Sequence, residues 1–162
     1  MTTRVSIRRP ELADRQALKD MFGRCSRESV RRRFHGYRLS FPEAYLTSAL
    51  SGRSGHFALV AEVPGTSIVA LASCVAVAGD AADIAVLVED SYQRQGIGSA
   101  MLRMLIAHAD HRGIGTLQAT VLAEQEWILQ LMRAYGSCSV TVSTGALDVT
   151  LRREKGRPAW IG

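Results

Sequence analysis

The stretch Asp83–Met101, DIAVLVEDSYQRQGIGSAM, carries the strongest local pattern in the chain. It opens with an apolar run at 84–88 that is short enough for a buried strand. A charged corner and the loop 93–98 follow, and from Ser99 onward apolar residues recur at three- and four-residue spacing, which is typical of a helix. The stretch therefore predicts a strand, a glycine-bearing turn and the start of a helix.

The turn between this strand and this helix has the properties of an anion site. Free backbone N–H groups at a helix N-terminus point outward, and the helix dipole favours negative charge there. Gly96 and Gly98 allow the main chain to approach a phosphate without an intervening Cβ. The loop lacks the Gly-Lys-Ser/Thr of a P-loop, and Met101 stands where a dinucleotide fingerprint has its third glycine. Taken alone, the glycines are also compatible with a plain tight turn.

The loop sequence Gln93-Arg94-Gln95-Gly96-Ile97-Gly98 resembles the Gln/Arg-x-x-Gly-x-Gly/Ala pyrophosphate loop of the GNAT superfamily of acyl-CoA-dependent N-acyltransferases. The preceding residues 86–92 are similar to the central strand and corner of that family. The resemblance implies acetyl-CoA, or a related acyl-CoA, as the co-substrate. It assigns contacts with this co-substrate to Val86, Leu87, Val88, Gln93, Arg94, Gln95, Gly96, Ile97, Gly98, Ser99 and Gln125.

The resemblance also divides these contacts by role. Backbone N–H groups of 94–99 would hold the pyrophosphate, and the main chain of 86–88 would bind the pantetheine arm as an added strand does. A backbone N–H near Val88 would stabilise the oxyanion that develops on the thioester. Gln125 stands where the family often has an asparagine that contacts CoA, so the amide is kept and its reach is changed.

The acceptor amine must lose a proton before or during attack, since a lysine amine has a pKa of about 10.4 in water. Asp83 is the candidate general base, because its position corresponds to a glutamate with that role in protein-acetylating GNAT modules. Its shorter side chain favours a water relay. The alternative is a strand-edge or turn carboxylate that follows Asp80. Glu62 and Glu89 are weaker candidates, since each stands at a predicted strand end near turn residues.

The expected general acid is missing. Many family members carry a tyrosine on the last helix that protonates the departing thiolate, and Met132 occupies the matching position here. Tyr135, three residues later, is either a substitute or an aromatic residue that packs on the sheet. Protein-acetylating members manage without this tyrosine, so its loss does not exclude activity.

The segment Ser26–Phe34, SRESVRRRF, resembles part of the GNAT module of bacterial protein-lysine acetyltransferases, beside their acceptor site. Its arginines indicate either a solvated helix face with local ion pairs, such as Glu28 with Arg32, or a contact with an acidic acceptor. We therefore expect an N-acetyltransferase that acts in a ternary complex, with a protein lysine as the acceptor. The alternatives are a small amine (an aminoglycoside, polyamine or amino acid) and a non-catalytic acyl-CoA-binding regulatory module.

Periodic segments elsewhere complete the order of elements. Alternating or apolar segments predict six further strands, at 5–9, 56–62, 68–78, 116–122, 140–142 and 146–151. Segments of helical spacing predict further helices at 10–22, 26–34, 42–50 and 123–135. This order is that of a GNAT domain. It implies one α+β domain over 1–152, with a mostly antiparallel sheet of about seven strands that is splayed at the middle and flanked by helices, followed by a polar, basic tail over 153–162.

Length and composition agree with one ordinary globular domain. The chain has 162 residues, of which 47% are hydrophobic and 22% charged. Its net charge of +5 suits a polyanionic ligand, a nucleic acid or an acidic protein surface, and equally a merely basic surface. No aromatic residues are interleaved with the arginines of 26–34 before Phe34, and no RNA-binding signature is visible, so a nucleic-acid partner is disfavoured. The sequence leaves the oligomeric state open, a homodimer included.

The cysteines and histidines predict no metal site. Cys25, Cys74 and Cys138 are widely spaced and form no Cys-x-x-Cys motif, which disfavours a zinc site or a disulfide framework and favours a reducing, cytoplasmic location. The four histidines have no convincing metal-binding spacing. The N-terminal segment shows no apolar signal-peptide core, and the longest near-continuous apolar segment, 68–78, is too short to span a membrane.

Overall fold

Strands and helices follow one another in the order that the sequence predicts. The structure is a computed structural model that describes residues 3–34, 40–53, 55–65, 67–143 and 145–153. The strands are β1 (Ser6–Arg8), β2 (His56–Val63), β3 (Ser67–Ala76), β4 (Ala81–Val88), β5 (Thr116–Leu122), β6 (Ser137–Ser143) and β7 (Ala146–Arg152). The helices are α1 (Arg15–Arg24), α2 (Arg27–Phe34), α3 (Glu43–Ser51), α4 (Ile97–His111) and α5 (Glu126–Arg133). Most of the predicted tail, 154–162, lies outside the described residues.

The seven strands form one sheet in the order β1-β2-β3-β4-β5-β7-β6. Every neighbouring pair is antiparallel except β4 and β5, which run parallel because α4 connects them across one face of the sheet. The predicted α+β class and the mostly antiparallel, seven-stranded sheet are therefore confirmed.

The splay at the middle of the sheet is also present. Strands β4 and β5 pair only from Ala81↔Thr116 to Asp83↔Gln118. Beyond that point β4 continues to pair with β3 as far as Val88, and β5 continues to pair with β7 as far as Leu122. Because each strand keeps its outer neighbour while losing the inner one, a slot opens between them after Asp83.

The two faces of the sheet are covered differently. Helix α4 packs on one face, where its buried Met101, Leu105 and Ile106 meet strand residues such as Ile84 and Val86. Helices α1 to α3 cover the other face, where Leu87 is buried in their core. Since side chains alternate along a strand, Asp83 lies on the same face as Leu87, the face of α1 to α3.

Several boundaries differ from the prediction for local reasons. Strand β4 begins at Ala81, so Asp83 is its third residue and is not at a turn. Helix α4 begins at Ile97, two residues before Ser99, because Gly96 takes a left-handed φ of 84° and acts as the N-cap. The predicted helix 123–135 is divided into a 3-10 turn at Ala123–Gln125 and the α-helix α5. The first closing strand is longer than predicted and spans Ser137–Ser143.

Glu89, the residue that follows β4, has a buried carboxylate that pairs with an arginine of α1. Glu89 is only 7% exposed, and Arg24 Nε lies 3.1 Å from its Oε1. The other carboxylate oxygen is buried without a hydrogen-bond partner among the described residues. Arg24 also donates a hydrogen bond to the carbonyl oxygen of Ile68, 3.0 Å away. This arginine therefore neutralises a charge that the fold has removed from water.

We expect Arg24→Ala to lower the free energy of unfolding by about 2 kcal/mol, because it leaves the Glu89 carboxylate buried and unpaired. The partial exposure of Arg24 keeps the loss below that of a fully buried pair. Urea denaturation measures the change. Arg103→Ala, which removes an exposed arginine from α4, is the control and should change stability by less than about 0.5 kcal/mol. Equal losses in the two variants would contradict the assignment.

Candidate active site

The slot between β4 and β5 exposes unpaired main chain on one side of β4. Residues of an antiparallel pair alternate between those that exchange hydrogen bonds with the partner strand and those that point away from it. Glu89 N donates to the carbonyl oxygen of Val69 at 2.8 Å, and the register of β3 and β4 is unbroken from there. Leu87 therefore bonds to β3, whereas the N–H and C=O groups of Val86 and Val88 point into the slot.

A cleft of about 460 Å³, here called the loop cleft, lies between the end of β4, the loop 93–96 and the start of α4 and α5. Gly96 and Gly98 line it, together with Arg94 and Ser99. Arg94 has a φ of 60° and is the one non-glycine residue with positive φ in the described part of the chain. The first backbone N–H groups of α4, like those of any helix, have no intrahelical partners, and this turn brings them to the cleft. These N–H groups are the feature on which the predicted anion site depends, and the binding of an anion there stays a prediction.

Two predicted contact residues can contribute only their backbone. The side chain of Ile97 is buried in the core beneath α4. The side-chain amide of Gln95 is directed elsewhere: it accepts from Thr3 N and donates to the carbonyl oxygen of Ser91, both at 3.4 Å.

Gln93 connects the loop cleft to its surroundings. Its Nε2 donates to the carbonyl oxygen of Val88 at 2.9 Å and to Ser29 Oγ at 2.8 Å. One amide thus fixes the end of β4 relative to both the loop and α2. The contact of Gln93 with the co-substrate stays a prediction. The two hydrogen bonds of its side chain are those of a residue that positions the neighbouring elements.

The Trp127 ring lies so close to the backbone of Gly98 that a side chain at position 98 would meet it. A Cβ at this position would lie 3.0 Å from Cη2 of Trp127 and 3.7 Å from Cγ2 of Val88. Trp127, in α5, therefore packs directly over the first turn of α4 and forms a wall of the loop cleft. A side chain at position 98 would therefore displace this ring from its present place in the wall of the loop cleft.

A second cleft of about 590 Å³, here called the sheet cleft, continues from the slot over the face of the sheet that carries Asp83. Polar side chains from three strands form its floor: Asp83, Gln118, Thr120, Asp148 and Thr150. Register explains the grouping, because Asp83 is paired with Gln118, and Gln118 with Thr150. Asp148 is held by a 3.0 Å hydrogen bond from Thr120 Oγ1. Arg32, Arg33 and Phe34 of α2 form the opposite wall.

Asp83 differs electrostatically from the other carboxylates near β4. Partial desolvation in the cleft raises its pKa above the ordinary value for aspartate. Glu62 and Glu89, the weaker candidates for a base, are each paired with an arginine, Arg8 and Arg24 respectively. Among these three, Asp83 is the carboxylate that lines a cleft.

The two clefts meet at the slot, where Val86, Arg32 and Gln125 line both. An ion pair holds helix α2 next to the place where the two clefts meet. Arg31 of α2 lies 2.6 Å from Glu124, which precedes α5, and also pairs with Glu28 within α2. Arg32 Nε lies 3.7 Å from Glu28, as the spacing predicts, and is buried without a hydrogen-bond partner among the described residues. An anionic group in the loop cleft and a polar group in the sheet cleft would thus face each other through the slot.

The family model of the acetyltransferase (GNAT) family matches residues 16–136, which include the splayed strands, the loop and α4. The chain belongs to the GNAT family. No curated protein matches its sequence.

Solved structures share the GNAT fold over nearly the whole chain. The GNAT domain of S. lividans PAT is 23% identical with a TM-score of 0.77, and the match covers 91% of this chain and 90% of that one. The structure of yncA from Salmonella typhimurium with acetyl-CoA is 20% identical with a TM-score of 0.71, over 95% and 96% of the two chains. PaiA N-acetyltransferase from Thermoplasma acidophilum with coenzyme A is 14% identical with a TM-score of 0.62, over 92% and 99%.

The GNAT chain departs from its family's usual general acid as the sequence predicts. Met132 is fully buried in the core of the α4 face. Tyr135 does not replace it: its ring packs against that core and lies 5.4 Å from the Arg153 guanidinium, and the residue lines neither cleft. The interpretation of Tyr135 as a packing residue is therefore the one that the geometry supports.

Sequence reasoning missed several residues that line the clefts of this GNAT chain, among them Tyr92, Trp127 and Asp148. Tyr92 and Trp127 stand one residue before Gln93 and two after Gln125, so proximity to the matched motifs was a usable signal. Asp148 carried none, because only the pairing of β7 with β5 brings it to the cleft.

Within the described residues, no group of three or more His, Cys, Asp or Glu side chains is arranged to hold a metal ion. His35 lies outside these residues. Among the described helices, none is long and apolar enough to cross a membrane.

Proposed function

We propose that this protein is an acetyl-CoA-dependent N-acetyltransferase in which a primary amine attacks the thioester directly, within a ternary complex. The observation that carries the proposal is the slot. There the N–H and C=O groups of Val86 and the N–H of Val88 have no partner strand, and they lie between the glycine loop and a cleft that contains a carboxylate. The pyrophosphate fits the loop cleft, and the pantetheine arm extends β4 as an added strand would. A covalent acyl-enzyme route needs an activated nucleophile, and burial raises the pKa of all three cysteine thiols, which disfavours their thiolates.

The position of the oxyanion follows from the strand geometry. A strand rises about 3.3 Å per residue, so Val86 lies about 10 Å along β4 from Asp83, and Val88 about 17 Å. A thioester oxygen at Val88 would be too far from Asp83 for a short water relay. We therefore assign the oxyanion contact to the N–H of Val86, and assign Val88, our first expectation for that role, to the pantetheine arm.

The reaction requires few side chains. The amine nitrogen bonds to the thioester carbonyl carbon, the C–S bond breaks, and the proton of the amine passes to Asp83 through water. The thiol of CoA resembles that of cysteine, whose pKa is about 8.5, so its thiolate leaves without a strong acid and takes its proton from solvent. The buried Met132 is therefore no obstacle to turnover.

A protein lysine is the acceptor that we favour. The sheet cleft combines carboxylates on its floor with Arg32 and Arg33 on its wall, which suits a cationic amine presented on a chain with acidic neighbours. The wall belongs to the segment 26–34, whose sequence resembles that of protein-lysine acetyltransferases. Similar structures include an enzyme named for a ribosomal protein's alanine and one named for phosphinothricin, so structural likeness alone does not select the acceptor.

A small polyamine is the second candidate, and one observation favours it. Asp83 and Asp148 stand far apart in sequence but on one cleft floor, where two carboxylates attract two ammonium groups.

A thiol-release assay distinguishes the two acceptors. Acetyl-CoA would be offered with lysine peptides that have acidic or basic flanks, and with a panel of polyamines, aminoglycosides and amino acids, using wild type and Asp83→Asn. We expect turnover on lysine peptides, faster with acidic flanks, that Asp83→Asn reduces. Turnover confined to small amines would move the acceptor to the second candidate. CoA binding without turnover on any acceptor would reject the enzyme in favour of a binding module.

We expect Asp148→Asn to raise the KM for the acceptor about three- to tenfold while kcat stays within about twofold, because it removes an attraction of roughly 1 kcal/mol that acts on the bound amine without contacting its proton. Initial rates at saturating acetyl-CoA measure both constants. A fall in kcat comparable to that of an Asp83 variant would show that Asp148 takes part in proton transfer.

A further inference from the structure

We propose that the protein has a second anion-binding site, at the opposite end of α4 from the loop cleft, which takes a compact phosphate-type oxyanion such as pyrophosphate or the phosphates of a nucleotide. A cleft of about 420 Å³, here called the basic cleft, lies there between the start of β2, the end of β3 and the last turn of α4. The 15 residues of α4 separate it from the loop cleft by about 22 Å. It is independent of the proposed acetyl transfer.

Positive charge converges on the basic cleft from separate parts of the chain. Arg9 follows β1, Arg53 follows α3 and Arg112 follows α4, and all three line the cleft with His108. None of the described residues that line it is acidic. The three guanidinium groups have no ion-pair partner among the described residues, whereas Arg8, Arg15, Arg24, Arg31 and Arg153 are each paired with a carboxylate.

The cleft is held in shape by packed aromatic rings. The rings of Phe57 and His108 are stacked at a centroid distance of 3.6 Å and an angle of 6°. The Arg9 guanidinium lies 5.1 Å from the centroid of the Phe57 ring. Gly52, with a φ of 59°, follows α3 so closely that an added Cβ would lie 3.4 Å from Arg9 Nη2. The contact with the Phe57 ring places the Arg9 guanidinium on the cleft wall.

The pKa of His108, which lines the basic cleft, is lowered by its surroundings. Burial lowers the pKa of His108, and the positive charges of Arg112, Arg9 and His111 lower it further. The C-terminal end of α4 contributes about −0.5 charge, which is small beside three guanidinium groups. The fold therefore brings together like charges whose repulsion an anion would relieve.

The chemistry of the donors selects the class of anion. Guanidinium groups are planar forks of N–H donors that match phosphate oxygens in pairs, and three of them neutralise a polyanion rather than a single carboxylate. The charges surround a cleft and do not form an extended stripe, which favours a small ligand over a nucleic-acid backbone.

Calorimetric titration of pyrophosphate into the CoA-saturated protein tests the site, because CoA occupies the other anion-binding loop. In separate titrations, ATP and a short DNA duplex replace pyrophosphate. The variants are Arg9→Gln/Arg112→Gln and, as a control with the same type of substitution, Arg103→Gln, which alters an exposed arginine in the middle of α4 outside the cleft. Chemical shifts of the His108 ring locate the bound anion.

We expect one pyrophosphate or ATP per chain, a perturbed His108 ring, and affinity at least about tenfold weaker in the double variant than in Arg103→Gln. The absence of binding at low salt would overturn the proposal. So would equal weakening in the double variant and the control, or binding of the duplex alone with a steep salt dependence.

Discussion

We expect Asp83→Asn to lower kcat by about 10²- to 10⁴-fold, the usual contribution of a positioned general base. Asparagine keeps the size of the side chain and its place on the cleft floor, but it does not accept the proton that the attacking amine must lose. The rate of thiol release at saturating acetyl-CoA and acceptor measures the loss. Affinity for CoA should be unchanged, because Asp83 lines the sheet cleft and not the loop cleft.

The pH dependence gives the same residue a second test. Desolvation raises the pKa of Asp83, and a general base acts only when it is deprotonated. Wild-type kcat should therefore rise with pH through a value above the ordinary pKa of aspartate, and this acidic limb should be absent in Asp83→Asn. Loss of rate as the acceptor amine protonates, governed by its own higher pKa, should remain in both proteins.

Asp148→Asn is the matched control for this substitution, since it removes a carboxylate from the same cleft floor. If Asp83 is the base, only its substitution removes the acidic limb. An unchanged kcat in Asp83→Asn, or an identical profile in both variants, would reject the assignment of the base.

The second large effect is expected at Gly98. Gly98→Val should weaken CoA binding about 10- to 100-fold, because even a Cβ there would lie 3.0 Å from the Trp127 ring. The Trp127 ring is part of the wall of the loop cleft, so its displacement changes the shape of the cleft that CoA must fit. Stability should fall less than affinity, since Trp127 is 37% exposed and its side chain can move.

Calorimetric titration with CoA measures the loss, and circular dichroism checks that the variant is folded. Gly23→Ala is the control, because an added Cβ at that helical position meets nothing within 4 Å. A double-mutant cycle isolates the contact: Gly98→Ala should cost much less in a Trp127→Ala background than in wild type. Equal costs in the two backgrounds would show that Trp127 is not the cause.

The central stretch and the order of elements could be predicted from the sequence because both depend on local patterns. The apolar run at 84–88 and the glycines at 96 and 98 specify strand, turn and helix within about 20 residues. Boundaries were less accurate where a single backbone conformation decides them. The left-handed Gly96 starts α4 two residues early, and a 3-10 turn at Ala123–Gln125 delays α5.

The sheet cleft could not be predicted in the same way. Thr120 and Asp148 lie on different strands, and nothing local indicates that the antiparallel pairing of β5 and β7 places them side by side. The arginines of 26–34 were equally ambiguous in sequence. Their division into Arg31, which pairs with Glu124, and Arg32 and Arg33, which line the sheet cleft, follows from where α2 packs.

The sequence by itself determined the family, the strand, glycine turn and helix of the central stretch, and the presence of Asp83 in the strand, because these depend on residues that are neighbours along the chain. The tertiary structure decided which main-chain groups of β4 are unpaired, which carboxylates share a cleft and where unpaired arginines converge. These depend on strand register and on the divergence of β4 from β5 after Asp83. Register and divergence result from the packing of the whole sheet between its two layers of helices, and no short segment encodes them.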